Sequence, residues 1–202
     1  VFSAFSLNLT VPQHSLILPI GISFYTFMAL GYILDVYWGD IKAQRSLLTF
    51  SVYLAFFPQI LCGPIGRAKN LFKQFTEAHP LCYDNFANGF RLVLWGLFKK
   101  MVVADNIGAY VDAVYNNIPM HSTLTLIVTA LLYPLQLYAD FGGYTDIARG
   151  VAKLFGFDLM VNFRTPYVNS TSVTDYWKRN HISLTSWLRD YIFYPFMGTS
   201  TS

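Results

Sequence analysis

Three long stretches of the chain contain no Asp, Glu, Lys or Arg: Val1–Leu34, Ser46–Gly66 and Ala113–Ala139. A helix needs about 20 mostly apolar residues to cross the hydrocarbon core of a bilayer, and each stretch is long enough. The alternative, a helix buried in the core of a large soluble enzyme, would have to occur three times within 202 residues. The pattern therefore favours a helical protein embedded in a membrane.

The composition excludes several other classes of protein. Only 12% of the residues are charged, whereas soluble domains carry about 25%. Disorder is excluded because 54% of the residues are hydrophobic. The net charge of +3, with no run of Lys and Arg longer than two, argues against a nucleic-acid partner. Two cysteines and four scattered histidines predict neither a disulfide scaffold nor a metal site.

The first predicted span is Pro12–Val36, and the next apolar segment, Leu47–Cys62, is shorter and contains Pro58. A full second span would place the cations before and after it on opposite sides of the membrane, which the positive-inside rule disfavours. A re-entrant or broken helix avoids this conflict, and the segment from Pro58 to Gly66 would then form a wall of a functional cavity. An ordinary span kinked at Pro58 remains the alternative.

Two further segments are predicted to be helical. Asp84–Tyr115 is amphipathic and would lie in the membrane plane or pack its charges inward, with Lys99 and Lys100 as an anchor at the cytoplasmic lipid surface. Leu124–Tyr138 is the next predicted span. Two carboxylates, Asp140 and Asp146, would lie near its end, and Arg149 is spaced to pair with Asp146 on a helix.

The segment from Ser172 to Pro195 is the most informative. Ser172 with Asp175 resembles a helix N-cap, and helical spacing places His181 on one side with Trp177 and two leucines, Leu184 and Leu188. Near neutral pH a histidine can accept and return a proton, as acyl transfer to a hydroxyl requires. A histidine that only packs or forms hydrogen bonds is the alternative. Ser183 lies two residues away, on the opposite side of a helix, so a Ser–His nucleophile pair is rejected.

The run from Asp175 to Tyr191, Asp-Tyr-Trp-Lys-Arg-Asn-His-Ile-Ser-Leu-Thr-Ser-Trp-Leu-Arg-Asp-Tyr, resembles the hallmark of the membrane-bound O-acyltransferase (MBOAT) family. Within that family, the chain most resembles the bacterial alginate O-acetylase group. That group acetylates cell-surface polysaccharides and is related to the D-alanyl transfer protein of teichoic acids. Further stretches match the same branch in the same order: Pro19–Phe27, Phe57–Arg67, Gly96–Lys100, Asp140–Ala148 and Asn162–Tyr167.

The resemblance implies an all-α, polytopic protein in the bacterial inner membrane, with residues 1–202 as an internal part of a longer membrane domain. It implies transfer of an acyl group, favoured as acetyl, from acetyl-CoA or another acyl thioester across the membrane to a polysaccharide hydroxyl. The expected partners are the polysaccharide acceptor, the thioester donor, the lipid bilayer and a periplasmic or extracellular acetyltransferase. No bound cofactor, metal or nucleic acid is expected.

The same resemblance implies a supporting catalytic role for His181, with the principal histidine beyond residue 202 in a Trp-His context, so that this fragment alone would be inactive. Position 180 is Asn where the branch usually has Trp, which leaves the acceptor open. The candidate substrate-binding residues are Trp177, Asn180, Arg189, Asp190, Asp140 and Asp146. A transporter or channel, and a non-catalytic scaffold of the same fold, remain the alternative functions.

Overall fold

The computed structural model describes residues 19–60, 62–80, 82–164 and 169–198, and every regular element within those ranges is helical. This confirms the predicted all-α class. The elements are α1 (Ile22–Trp38), α2 (Leu47–Leu54), α3 (Phe57–Ile60), α4 (Ala68–Thr76), α5 (Tyr83–Leu97), a π-helical segment (Phe98–Ala104), α6 (Asp105–Tyr115), a 3-10 turn (Ile118–Met120), α7 (Thr123–Leu154), α8 (Val173–Arg179), α9 (Ile182–Leu188), a second π-helical segment (Arg189–Phe193) and α10 (Tyr194–Phe196).

Helix α7 is, within the described ranges, the one helix long and apolar enough to cross a membrane. Its most apolar 18 residues have a mean hydropathy of 1.4, and only 11% of them are buried. At 1.5 Å per residue it is about 48 Å long, which exceeds the roughly 30 Å hydrocarbon core. The predicted span ended at Tyr138, but the helix continues through Asp140 and Asp146 to Leu154, because both carboxylates find cationic partners on a neighbouring helix.

Helix α5, the first π-helical segment and α6 form one helical run that lies antiparallel to α7. Gly89 faces Gly150 and Gly96 faces Gly143; a Cβ atom added at Gly96 would lie 2.7 Å from the Gly143 carbonyl oxygen. Small residues allow such close approach of two helix backbones. Of the two predictions for residues 84–115, this packing favours the helix with inward charges over the in-plane helix.

The segment before α4 is broken, which favours the broken helix over the alternative of an ordinary span kinked at Pro58. Helix α2 ends at Leu54, the single turn α3 follows, and Gly63 to Arg67 run as irregular chain into α4. Pro58 and Gln59 are buried. The eight residues of α2 extend about 12 Å, too short for a span. For the predicted first span, α1 begins at Ile22, and residues 12–18 lie outside the described ranges.

An aromatic core joins α1, α2 and α4 to the C-terminal segment. The Tyr53 side chain is 1% exposed, and its hydroxyl donates to the carbonyl oxygens of Met28 and Gly66 at 3.1 and 3.0 Å. Trp187 packs in the same cluster and donates its indole N–H to the Phe27 carbonyl at 3.0 Å. The core therefore fixes α9 against α1.

Candidate functional site

His181 lies at a sharp break between two short helices. Helix α8 ends at Arg179 and α9 begins at Ile182, while His181 has a left-handed backbone with φ 46° and ψ 51°. The prediction of one helix with Trp177, His181, Leu184 and Leu188 on a single face is therefore wrong, because a left-handed residue reverses the helical direction. Among the described residues, no other non-glycine residue has a positive φ. This backbone conformation costs roughly 1–2 kcal/mol, and such strain is found at functional sites.

Asn162 holds the start of α9 from the preceding irregular link. Its backbone carbonyl accepts the N–H of Ile182 at 3.0 Å, and its side-chain Oδ1 accepts the N–H of Ser183 at 3.1 Å. Asn162 is 1% exposed. It satisfies backbone donors that a helix N-terminus otherwise leaves unpaired. Sequence reasoning did not find this role, since the two partners are about 20 positions away and no local spacing connects them.

The imidazole of His181 is partly buried against α7. It meets the Phe141 ring edge-on, with 4.6 Å between ring centroids and 81° between planes. Its Nε2 atom is buried and has no hydrogen-bond partner among the described residues. His181 lies outside the candidate span, and burial lowers its pKa to about 4. The ring is therefore neutral at pH 7, with one nitrogen free to accept or donate a hydrogen bond.

Asp140 and Asp146 lie on α7, and both form ion pairs with lysines of the first π-helical segment, which continues α5. We call this group, Lys99, Lys100, Asp105, Asp140, Asp146 and Arg149, the α5–α7 ion ladder. Lys99 Nζ lies 2.5 Å from Asp146 Oδ2 and donates to the Gly142 carbonyl at 3.0 Å. Lys100 Nζ lies 2.6 Å from Asp140 and 2.7 Å from Asp105. The predicted pair of Arg149 with Asp146 is present at 3.2 Å.

The lysine pair is therefore not a lipid-surface anchor. Lys99 is 8% exposed and points between the two helices, where Asp146 compensates its charge. The anchor prediction was wrong because the sequence did not reveal a carboxylate partner 47 positions away.

Arg189 and Asp190 belong to a second cluster. The Asp190 carboxylate accepts hydrogen bonds from Arg189 Nε at 2.9 Å and from Arg67 Nη2 at 2.7 Å. The Arg67 guanidinium lies 4.4 Å from the Tyr191 ring centroid, and the Tyr191 hydroxyl donates to Asp35 at 2.7 Å. Asp35, Arg67, Asp190 and Tyr191 line a cavity of about 350 Å³, and neither Arg189 nor His181 belongs to its lining.

The two remaining candidates lie beside the break. The side-chain amide N–H of Asn180 donates to the Tyr176 hydroxyl at 2.8 Å, and the backbone carbonyl of Asn180 accepts from the Thr185 hydroxyl. Trp177 is 49% exposed and packs edge-on against Tyr176. The structure thus brings Asn180 and the region of Asp140 near His181, while Arg189 and Asp190 belong to the other cluster.

Comparison with known proteins identifies the family of the chain. The sequence profile of the MBOAT, membrane-bound O-acyltransferase, family matches residues 40–202. The chain is 40% identical to the probable alginate O-acetylase AlgI of Pseudomonas aeruginosa, over 100% of this chain and 38% of that protein. It is 32% identical to the peptidoglycan O-acetyltransferase of Helicobacter pylori, over 91% of this chain and 40% of that protein. It is 31% identical to the teichoic acid D-alanyltransferase of Bacillus subtilis, over 92% of this chain and 47% of that protein. The chain spans about two fifths of the length of these relatives.

Proposed function

This chain belongs to the membrane-bound O-acyltransferase family, and on that premise we propose that the protein containing it acylates a hydroxyl of a cell-surface polysaccharide. The relatives support this proposal because their names describe transfer of acetyl or D-alanyl groups to alginate, peptidoglycan or teichoic acid. We propose acetyl as the acyl group and an alginate-like acceptor, since identity is higher to the alginate O-acetylases than to the D-alanyltransferases.

The observation that carries the proposal is the neutral, partly buried His181 imidazole with its buried, unpaired Nε2. In the proposed reaction, the acceptor oxygen bonds to the carbonyl carbon of an acyl thioester such as acetyl-CoA. The C–S bond breaks, and the hydroxyl proton passes through a base to the departing thiolate. His181 holds the reacting hydroxyl in position, and a second histidine beyond residue 202 is the proposed base.

The location of the protein is part of the same proposal. Helix α7 supplies one candidate span, and the broken segment α2–α3 is too short to cross a bilayer. We place α2–α3 as a re-entrant segment of a multi-pass protein in the inner membrane, with the thioester on the cytoplasmic side. We also propose a periplasmic or extracellular acetyltransferase as a partner, as the family resemblance implies.

The test replaces His181 in the full-length protein. We expect His181→Ala to lower the acetyl content of the polysaccharide at least about tenfold, because the position of the reacting hydroxyl depends on the imidazole. The matched control is His121→Ala, which removes a histidine from the turn before α7. Acetyl content is measured by mass spectrometry at equal amounts of membrane-inserted protein. Unchanged acetylation in the His181 variant would favour a non-catalytic scaffold and refute the proposal.

A further inference from the structure

A cavity of about 480 Å³ lies between α5 and the C-terminal end of α7, and it shares Arg149 with the α5–α7 ion ladder. Arg91, Arg149 and Lys153 line it together with one carboxylate, Asp158, and the apolar side chains of Leu92 and Trp95. We propose that this cavity binds the phosphate of an anionic phospholipid headgroup.

The cavity has unused capacity for an anion. Lys153 Nζ lies 2.8 Å from Asp158, and Arg149 pairs with Asp146 through one terminal nitrogen. The Nε of Arg149 is buried and has no hydrogen-bond partner among the described residues. Arg91 is exposed and forms no ion pair within the same residues. Two guanidinium groups with free donors match the oxygens of a phosphate.

The distribution of charge places this cavity at the cytoplasmic side of the membrane. Residues 116–122, which precede α7, contain no Lys or Arg. The opposite end of the helix pair is rich in cations, since Arg91, Arg149 and Lys153 lie there, and Lys73 precedes Gln74, which hydrogen-bonds Asp158. Cytoplasmic ends of spans carry the excess of Lys and Arg, and the cytoplasmic leaflet carries the anionic lipids.

The depth of the cavity agrees with a headgroup. Arg149 lies about 39 Å along α7 from Thr123, at 1.5 Å per residue, and the hydrocarbon core is roughly 30 Å thick. If α7 enters the core near Thr123, the Arg149 side chain reaches the headgroup layer on the far side. The guanidinium then lies where lipid phosphates lie.

An adjoining apolar surface favours a lipid over a soluble phosphate compound. Trp95 is 55% exposed and stacks on Phe98, which is 45% exposed, with 5.5 Å between centroids. Met101 and Val102, further along the same helical run and deeper in the membrane, are 61% and 54% exposed. A ligand with a phosphate in the cavity therefore has an apolar surface for its acyl chains along Trp95, Phe98 and Val102, and tryptophan is typical of the membrane boundary.

The test measures lipid retention by the full-length protein purified in detergent. The protein is equilibrated with phosphatidylglycerol or phosphatidylcholine, and bound lipid is counted by native mass spectrometry. The cavity variant is Arg91→Gln with Lys153→Gln. The matched control, Lys42→Gln with Arg45→Gln, removes the same two charges from exposed positions in the loop after α1. Arg91→Gln alone is the second variant, since no ion pair of the described fold depends on Arg91.

We expect the wild type and the control to retain phosphatidylglycerol over phosphatidylcholine, and the cavity variant to bind it at least about tenfold more weakly. Arg91→Gln alone should weaken binding in the same direction by a smaller factor. Equal weakening in the cavity and control variants would overturn the proposal, as would no weakening in either. Displacement of phosphatidylglycerol by an equal concentration of inorganic phosphate would identify a site for soluble phosphate and overturn the lipid assignment.

Discussion

The α5–α7 ion ladder and the α8–α9 break are both polar regions of an apolar chain, but they differ in how their groups are satisfied. In the ladder, Lys99 and Lys100 each have a carboxylate partner within 2.7 Å. At the break, the Nε2 of His181 and the Nδ2 of Asn162 are buried without partners among the described residues.

This difference distinguishes groups that stabilise the fold from groups that are available to a substrate. The Lys99–Asp146 pair lies between the two helices and compensates its own charges, so it fixes how the helices pack, whereas Arg149 at the outer end keeps a nitrogen that is unpaired within the described part of the chain. A buried imidazole with an unpaired nitrogen is costly unless a ligand or a further part of the protein meets it. We therefore assign Asp146 and Lys99 to the packing of the helices, and we keep His181 as the candidate that meets the substrate.

The largest expected effect comes from breaking the ladder. Lys99→Met leaves Asp146 with only Arg149, and because that arginine still compensates part of the carboxylate charge, we expect a cost of about 3 kcal/mol, the lower end of the range for a broken buried pair. We expect a clear fall in the thermal unfolding temperature of the detergent-purified protein. Lys42→Met, at an exposed loop position, should change it little. Equal unfolding temperatures for the Lys99 variant and the wild type would contradict the structural role of the ladder.

The close approach of the two helices gives the next effect. Gly96→Ala adds a Cβ atom 2.7 Å from the Gly143 carbonyl, and the resulting overpacking costs about 1–3 kcal/mol. Gly108→Ala on the same helical run has its nearest neighbour at 3.5 Å, so the higher helix propensity of alanine should stabilise the protein by up to about 1 kcal/mol. Thermal unfolding of both variants measures the contrast. Shifts of the same sign would show that the backbones are farther apart than described.

Asn162→Ala tests how the break is held. Loss of the cap on Ser183 N–H should cost about 1–2 kcal/mol, and acyl transfer should fall as well, because Asn162 positions the start of α9 next to His181. Asn85→Ala, on the first turn of α5, is the matched control for stability and acetyl transfer. A variant that loses stability but retains full transfer would separate the cap from the site.

The pH dependence gives the smallest effect. Burial lowers the pKa of His181 in the folded protein to about 4, whereas an unfolded histidine titrates near 6.5. Between these values the unfolded state binds more protons, so the free energy of unfolding falls as the pH falls from about 6.5 to 4.

We expect the free energy of unfolding to be about 1 kcal/mol lower at pH 5 than at pH 7.5. This is less than the full change in the His181 pKa implies, because the residue is only partly buried. His181→Asn should remove this part of the pH dependence, as comparison of unfolding temperatures at the two pH values would reveal. An identical pH dependence in wild type and variant would show that the imidazole is not desolvated.

The amino-acid sequence by itself determined what depends on neighbours along the chain. The charge-free stretches predicted a helical, membrane-embedded class, whereas the segment with Pro58 left a broken helix and a kinked span both open. The N-cap at Ser172, where Oγ accepts from Asp175 N–H at 3.1 Å, and the Arg149–Asp146 pair were predicted correctly. In each case the interacting groups are three positions apart, within one helical turn.

Only the tertiary structure decided the partners that come from other helices. Lys99 meets Asp146 across 47 positions, Asn162 caps a helix about 20 residues later, and Arg67 reaches Asp190 across 123. Local spacing favoured one continuous helix, so the left-handed backbone of His181 was not predictable from its neighbours along the chain. Helical periodicity reports which face a side chain occupies, whereas the atom that it meets depends on how close the neighbouring backbone comes.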